Sequence, residues 1–208
     1  MLWLLPLTAV GQDTLRTYGP RLSLDLARVG YLLSDPVELG AEASVDAEIY
    51  RNLYPVVELG YSTISEETET FNYSSGGVYL RAGADYNLLP RKDRSVHHDI
   101  TGGLRYGISF FTHRAGEVVI PGEYWGDYLL DSYRRSLTGH WIELVAGIRT
   151  EVLTNFFLGW NLRYRILINP AMDPLVTPQL IPGFGSGTTN RGVGFSYSVG
   201  YKIPVLKQ

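Results

Sequence analysis

The chain has 208 residues with no cysteine, 18 basic and 21 acidic residues, and a mean hydropathy of −0.03. Its length fits a single domain, its aromatic content excludes collagen and disorder, and the missing cysteine excludes a disulfide scaffold. A net charge of −3 gives no electrostatic footprint for nucleic acid. Membrane-spanning helices are excluded as well, because the sequence contains no uncharged apolar run of about 18 residues.

Residues 1–11 have features of a short export signal. The apolar run MLWLLPLTAV ends in Gly11, so Ala9 and Gly11 stand at the spacing that a signal peptidase recognises. The run is short and has no positively charged start, so either the true start lies upstream or the run is a buried strand. We expect cleavage after Gly11, which leaves residues 12–208 as one exported domain.

Eight segments alternate apolar and polar residues with a period of two, which predicts β-strands. The segments are 21–26, 37–49, 56–62, 77–86, 100–110, 142–152, 156–166 and 193–203. A tilted strand of about ten residues can cross a bilayer. Short links are predicted at 50–54, 88–96 and 153–155, and longer loops at 27–36, 63–76, 112–139 and 169–190. Short turns at one rim and long loops at the other are typical of outer-membrane barrels.

The positions of the glycines decide which face of the strands points inward. Alternation alone also fits a soluble carrier barrel with an apolar interior. The polar face, however, carries Gly40, Gly60, Gly83, Gly103, Gly107, Gly147, Gly159, Gly194 and Gly200. An eight-stranded barrel is only just wide enough for side chains, so long charged residues need such neighbours inside it. We therefore predict an all-β, eight-stranded antiparallel up-and-down transmembrane β-barrel in the bacterial outer membrane, with long loops extracellular and short turns periplasmic.

The predicted inner face carries acidic and basic residues in nearly equal numbers. Pairing between them would offset the cost of burying charge, so we expect a lumen filled by a charge network. A proton or ion path is the alternative, and it would need a continuous wet gap. The expected members of the network are Arg21, Asp25, Glu38, Glu42, Asp46, Glu58, Arg81, Asp85, Arg105, Glu143, Arg149, Glu151, Arg163 and Arg165.

The longest predicted loop carries an aromatic cluster. Tyr124, Trp125, Tyr128 and Tyr133 precede two arginines, a composition that is common where a surface docks a partner protein. Capping of the barrel mouth would explain the same residues. Both interpretations stay open at this point.

Six short stretches carry a family resemblance. They are YGPRL at 18–22, GLRYG at 103–107, EYWG at 123–126, WIELVAG at 141–147, IPGF at 181–184 and GVGFSY at 192–197. With these stretches the chain resembles small outer-membrane β-barrel proteins of Bacteroidota, specifically an uncharacterised family. The resemblance implies the barrel fold, and it implies no activity or catalytic residue.

A lipid hydrolase would need a serine, a histidine and an acid that converge at one rim. His113 and His140 could face each other near Ser109 or Ser136. We interpret both histidines as hydrogen-bonded rim residues, and we expect no catalytic residues.

Other candidate sites are also weak. His97, His98 and Asp99 point alternately along a strand, whereas a metal needs three or four convergent ligands. The acidic run at 66–69 is interpreted as a solvated loop. GFGSG at 183–187 is followed by a strand, so no helix N-terminus faces an anion.

These observations predict a non-enzymatic barrel without metal or cofactor. We expect it to be structural, or to be an accessory subunit of a larger outer-membrane complex. Its expected surroundings are outer-membrane lipid and lipopolysaccharide, with no nucleic acid. A lipid-modifying hydrolase and a small-solute pore are the alternatives.

Overall fold

The fold is described from a computed structural model. It covers residues 19–27, 38–68, 71–89, 98–116, 118–120, 128–130, 132–169, 173 and 176–205. The predicted export signal and residues 121–127 lie outside this description. Among the described residues, no helix is long and apolar enough to cross a membrane.

Eight strands close into an antiparallel barrel, and each strand pairs with its neighbours along the chain. They are β1 (Arg21–Asp25), β2 (Glu38–Asp46), β3 (Leu53–Thr68), β4 (Phe71–Asn87), β5 (His98–Gly116), β8 (Tyr133–Leu153), β9 (Phe156–Asn169) and β12 (Arg191–Lys202). The first and last strands close the barrel, with Arg21 opposite Lys202 and Asp25 opposite Ser198. This arrangement confirms the predicted fold class.

Two short ribbons stand apart from the barrel wall. The first pairs β6 (Val118–Ile120) with β7 (Tyr128–Leu130). The second pairs β10 (Leu180–Ile181) with β11 (Gly185–Ser186), and it lies in the connection between β9 and β12. The second ribbon becomes important at the barrel mouth.

The distribution of polarity in this barrel is inverted relative to a soluble protein. Leu59 on β3 is 61% exposed on the outer face, whereas its neighbour Glu58 is 2% exposed inside. The same alternation holds on β8, where Leu144 is exposed and Glu143 is buried. Since soluble proteins rarely bury charge or expose contiguous apolar surface, this pattern fits a barrel surrounded by lipid.

The strands on the long-loop side extend further than the alternation predicts. The prediction of loops at 63–76 and 112–139 was wrong, because β3 and β4 are separated only by residues 69–70 and β5 continues to Gly116. The outer face becomes polar there, with Ser65 opposite Ser74 and Thr112 opposite Ser136, while backbone pairing continues. The apolar pattern therefore ends before the strand itself ends.

Two of the three predicted short links are confirmed at the other rim, and the third, 88–96, lies mostly outside the described residues. The β8–β9 link is a two-residue turn of Thr154 and Asn155, and the β2–β3 link is closed by a bridge between Tyr50 and Leu53. Asn52 and Asn155 have φ values of 65° and 64°. Besides glycine, asparagine is one of the few residues that adopt this left-handed conformation readily. The local sequence therefore favours both turns.

Replacing Leu59 with arginine tests the orientation of the barrel wall. Leu59→Arg would place a charge on the exposed apolar face; if that face contacts lipid, the charge costs about 2–4 kcal/mol near the bilayer midplane. The expected result is a free energy of unfolding lower by about that amount in urea titrations from phospholipid vesicles. Ser65→Arg lies on the same face of β3 above the apolar surface and is the control, expected to change stability little. Equal losses in the two variants would contradict the assigned orientation.

Candidate functional site in the barrel lumen

Three carboxylates and two guanidinium groups meet at mid-height in the lumen. Arg81 pairs with Glu42, lies 3.2 Å from Glu58 and 3.4 Å from Glu143. Arg163 lies 2.6 Å from Glu58, 3.3 Å from Glu42 and 3.4 Å from Glu143. Each of the five residues comes from a different strand, and all are buried. We call this group the central network.

Flanking residues balance the charge of the central network. Arg105 Nε lies 2.9 Å from Glu58, and Arg165 Nε lies 3.1 Å from Glu143. Arg105 also binds Asp85 at 3.0 Å. With these three added, four arginines face four carboxylates. Charges buried in this way are tolerated only when they are paired and hydrogen-bonded, so the near-neutral sum is a condition for burying them away from bulk water.

Two aromatic residues complete the hydrogen bonding of the central carboxylates. The Tyr79 hydroxyl donates to Glu42 at 2.6 Å, and the Trp141 indole N–H donates to Glu143 at 2.7 Å. Both side chains are fully buried. The same rings form the floor of an apolar layer above the charges, so they join the polar and apolar parts of the lumen.

A second set of ion pairs lies toward the short-turn rim. Arg21 pairs with Asp46 through two nitrogens, and its guanidinium stacks over the Phe157 ring at 5.0 Å. Arg149 lies 3.9 Å from Asp46 and 3.6 Å from Asp85. Asp85 therefore links this lower set to the central network through Arg105, and the ion pairs continue along the lower half of the lumen.

The remaining members of the predicted charge network bind backbone groups or lie partly outside the description. Asp25 accepts hydrogen bonds from the backbone N–H of Ala27 and of Tyr197. Glu151 accepts one from Asn155 N at 2.6 Å and so holds the β8–β9 turn. Glu38 begins β2, and its side chain is outside the described residues.

A tight turn from the β9–β12 connection closes the mouth of the barrel. Residues Ile181–Phe184 form this turn, with Phe184 N donating to Ile181 O at 3.0 Å. Ile181 and Phe184 are each 1% exposed. They pack in an apolar cluster with Tyr79, Phe111, Trp141 and Leu167. We call residues 180–184 the mouth plug.

The sequence of the mouth plug explains its shape. Pro182 and Gly183 occupy the two central positions, and Gly183 has a φ of +81°. A type II turn requires a positive φ at its second central position, which glycine adopts readily, and proline is common at the first. A Cβ at Gly183 would lie 2.5 Å from Tyr79 Cγ, so the backbone approaches the ring closely only because the side chain is missing. The plug was not predicted from the sequence. The Pro-Gly pair between the large apolar residues Ile181 and Phe184 is the feature that could have indicated it.

Hydrogen bonds attach the mouth plug to opposite parts of the wall. Ser75 Oγ on β4 donates to Leu180 O at 2.9 Å. Arg165 on β9 donates to Phe184 O at 2.8 Å and also contacts Glu143. Arg165 therefore connects the plug directly to the central network.

A third group holds the chain above the plug. His113 Nε2 lies 2.9 Å from Asp173 Oδ2, and the Tyr133 hydroxyl donates to the same carboxylate at 2.8 Å. The Tyr73 hydroxyl accepts a hydrogen bond from Gln179 N at 2.9 Å. These contacts join β4, β5 and β8 to the connection that carries the plug. We call His113, Tyr133 and Asp173 the mouth cluster.

The mouth cluster includes one residue of the predicted docking loop. Tyr133 is half-buried and bound to Asp173, as the mouth-capping interpretation requires. Tyr124 and Trp125 lie outside the described residues, and Tyr128 is described by its backbone in β7 alone. The docking interpretation therefore stays a prediction for these three.

The two candidate catalytic histidines lie on opposite faces of the wall. His113 is buried inside, whereas His140 is paired with Ile108 on the outer face and hydrogen-bonds the Tyr106 hydroxyl at 2.7 Å. The hypothesis that they face each other was wrong, because their parities along β5 and β8 are opposite. Ser109 is buried inside, and Ser136 pairs with Thr112 on the outer face at 3.0 Å. Neither serine joins the two histidines.

The short-turn rim does not gather the predicted metal ligands. His98 is exposed and contacts Thr150, whereas Asp99 is buried and accepts a hydrogen bond from Asn87. Within the described ranges, no group of three or more histidines and carboxylates could hold a metal ion. His97 lies outside those ranges.

Among the described residues, small polar cavities border the ion pairs, and two of them lie in the lumen. A cavity of about 30 Å³ borders Ser23, Ser44 and Ser198, and one of about 140 Å³ lies beneath the mouth plug next to Ser62 and Gly194. Both are lined by Asp25, Glu42, Arg163 and Ser196. Polar cavities of this size hold a few water molecules. They are too small to form a passage for a solute.

Comparison with known proteins identifies the family. The sequence matches the domain of unknown function DUF6048 over residues 8–208. The chain belongs to the DUF6048 family. This result agrees with the expected membership of an uncharacterised family, and it covers the barrel, the plug and the mouth cluster alike.

No curated protein matches the DUF6048 chain. The crystal structure of Ail, the attachment invasion locus protein of Yersinia pestis, is similar over 89% of this chain and 94% of that chain. The two share 14% sequence identity, with a TM-score of 0.45.

Neutralising Glu58 tests the central network. Glu58→Gln removes the carboxylate that three arginines share, leaving buried positive charge without compensation, at a cost of about 3–5 kcal/mol. The measurement is the free energy of unfolding of the DUF6048 barrel in urea. Glu66→Gln changes an exposed carboxylate on the same strand and should have almost no effect. If Glu58→Gln were equally neutral, the ion pairs would contribute nothing to stability.

Adding a methyl group at Gly183 tests the mouth plug. Gly183→Ala strains the positive φ and overlaps the Tyr79 ring, so the plug should leave the mouth and expose Phe184. Chymotrypsin should then cleave after Phe184, a product that mass spectrometry of the digest identifies. Gly192→Ala is the control, since its Cβ would make only ordinary contact with Phe184 O at 3.6 Å. Resistance of Gly183→Ala to cleavage would contradict the docked plug.

Proposed function

We propose that this DUF6048 protein is a sealed structural barrel of the bacterial outer membrane and an accessory subunit of a larger complex there. The observation that carries the proposal is the combination of a lipid-compatible exterior with an interior occupied by paired charges and a plug. An origin in Bacteroidota and a leader at residues 1–11 remain predictions from the sequence.

The exterior supports a membrane location. Leu24, Leu59, Leu104 and Leu162 come from four strands around the barrel and are all more than half exposed. Exposed aromatic residues such as Tyr86 stand near the strand ends, where amphipathic rings favour the membrane interface. A closed barrel also leaves no sheet edge unpaired, and lipid demands this of any strand that crosses it. Outer-membrane barrels combine these features, with short periplasmic turns and longer extracellular connections.

The interior supports a structural role over transport. The central network crosses the lumen from five strands, and the mouth plug covers it from the long-loop side. A small-solute pore would need a continuous opening, and the two cavities of about 30 and 140 Å³ do not supply one. The ion pairs instead connect the strands of the wall, because Arg81 and Arg163 each contact carboxylates from three other strands.

One observation favours a second candidate, a lipid hydrolase. Ser75 is the cross-strand partner of His113, and His113 binds Asp173, so the three residue types of a hydrolytic triad are neighbours. However, Ser75 Oγ donates to Leu180 O, and both Ser75 and His113 are fully buried by the connection that carries the plug. The closed mouth therefore favours the structural role. Loss of acyl chains from lipopolysaccharide incubated with the protein would favour the hydrolase.

The accessory role is supported by the aromatic composition of residues 124–133. Barrels without a passage or an accessible site act through their surfaces, and tyrosine with tryptophan is enriched at the centres of protein interfaces. Tyr133 already serves the mouth cluster, so Tyr124 and Trp125 are the residues that we propose contact a partner.

Two measurements test the proposed function. Pure protein in planar bilayers should give no stable conductance, because the ion pairs and plug fill the lumen. A pull-down in gentle detergent from the native membrane should recover a larger outer-membrane protein. The Tyr124→Ala/Trp125→Ala double variant should lose it, while Trp160→Ala, on the lipid-facing side, should retain it. Stable conductance would favour the pore, and recovery of no partner would contradict the accessory role.

A further inference from the structure

Two exposed arginines oppose each other on the outer face of the barrel. Arg114 on β5 is the direct cross-strand partner of Arg134 on β8. Both are exposed, whereas His113 and Ala115 on either side of Arg114 are buried, so the pair belongs to the outer face. Like charges directly opposite each other destabilise a strand pair. An anion bound between the two guanidinium groups would offset this repulsion.

No acid within the described ranges neutralises this arginine pair. The same row of the sheet continues with Ser74 on β4 and Ser65 on β3, which are neutral. None of the ion pairs among the described residues involves Arg114 or Arg134. Arg135, the next residue along β8, does have a partner and lies 3.5 Å from Asp173 at the mouth. The unneutralised charge is therefore confined to the outer face.

The arginine pair stands directly above the apolar surface. Three exposed apolar residues form the row of Tyr61, Val78 and Phe110. The row above it carries the hydroxyls of Thr63, Thr112 and Ser136, and the next row carries the arginines. Arg114 is thus about 14 Å along the strand from Phe110, at a rise of about 3.4 Å per residue. In a bilayer whose acyl chains cover the apolar rows, the arginines would lie at the level of the lipid headgroups.

We infer that Arg114 and Arg134 bind a phosphate group of an outer-leaflet glycolipid, the phosphorylated lipid of lipopolysaccharide. The inference rests on the proposed outer-membrane location. Guanidinium groups bind phosphate oxygens bidentately, and a phosphate between the two arginines would replace their repulsion with attraction. The hydroxyl row beneath lies where the sugar of such a lipid would be, and the apolar rows lie beside its acyl chains. Charge, hydroxyls and apolar surface therefore follow the same order as the parts of the lipid.

Reconstitution with lipid A, the phosphorylated lipid of lipopolysaccharide, tests whether Arg114 and Arg134 bind its phosphate. Wild-type protein and the Arg114→Gln/Arg134→Gln variant are placed in phosphatidylcholine vesicles containing phosphorylated lipid A. Native mass spectrometry then measures the lipid A that stays bound after extraction into detergent. The double variant should bind at least about tenfold more weakly, which corresponds to about 1.4 kcal/mol. Enzymatically dephosphorylated lipid A should bind equally weakly to both proteins.

Two further arginines serve as controls. Arg191→Gln removes an exposed charge at the same rim on β12, and Arg51→Gln removes one from the short-turn rim. Both should bind phosphorylated lipid A like the wild type. An excess of inorganic phosphate should compete only weakly, because it lacks the acyl chains that contact the apolar rows. Displacement of lipid A by inorganic phosphate at comparable concentration would overturn the lipid as the ligand.

Failure of the proposed lipid A site can be distinguished from failure of the proposed membrane location. Equal binding by the double variant and the wild type, or an equal loss in Arg191→Gln, would overturn the site while leaving a membrane barrel intact. Flotation of the vesicles on a density gradient reports insertion independently of lipid A. If the folded protein failed to float with vesicles of phosphatidylcholine alone, the membrane location would be wrong, and this inference would be wrong with it.

Discussion

The narrow lumen of an eight-stranded barrel is the constraint from which the rest of this structure follows. Such a barrel leaves room for only one layer of facing side chains, and each large residue needs a small one opposite it. A Cβ at Gly107 would overlap the Trp141 ring, and one at Gly103 would overlap the Asp85 carboxylate. Glycine therefore determines where tryptophan and the charged residues fit. Because no bulk water can accompany them, the charges must also compensate one another at contact distance.

The central network and the apolar exterior specify the same strand register. Shifting one strand by a single residue would exchange its faces, moving a buried arginine to the apolar outer face and a leucine into the lumen. Arg163 illustrates the coupling, because it binds carboxylates that belong to three other strands. Ion pairs of this kind need not add net stability over an apolar core of equal volume. Their value in this barrel is that only one arrangement of the strands satisfies all of them.

Sequence periodicity was sufficient for the wall of the barrel but not for its mouth. Alternation along Leu22, Leu24 and their counterparts in the other strands predicts both the strands and the inward face, since each signal is local. The extended hairpins were missed because Ser65 and Thr112 end the apolar pattern while backbone pairing continues. The contact between His113 and Asp173 joins residues 60 positions apart, through a connection without periodicity. The docking of Phe184 depends on the shape of a cavity that exists only after the barrel has closed.

The binding site of the mouth plug is shared between distant strands of the wall. The plug belongs to the connection between β9 and β12, yet its carbonyl groups accept hydrogen bonds from Ser75 on β4 and Arg165 on β9. These strands are separated around the wall by β5 and β8 on one side and by four strands on the other. The receptor for the plug is therefore complete only when both halves of the wall stand together. Complete desolvation of the arginines and carboxylates therefore depends on the docked plug as well as on the closed wall.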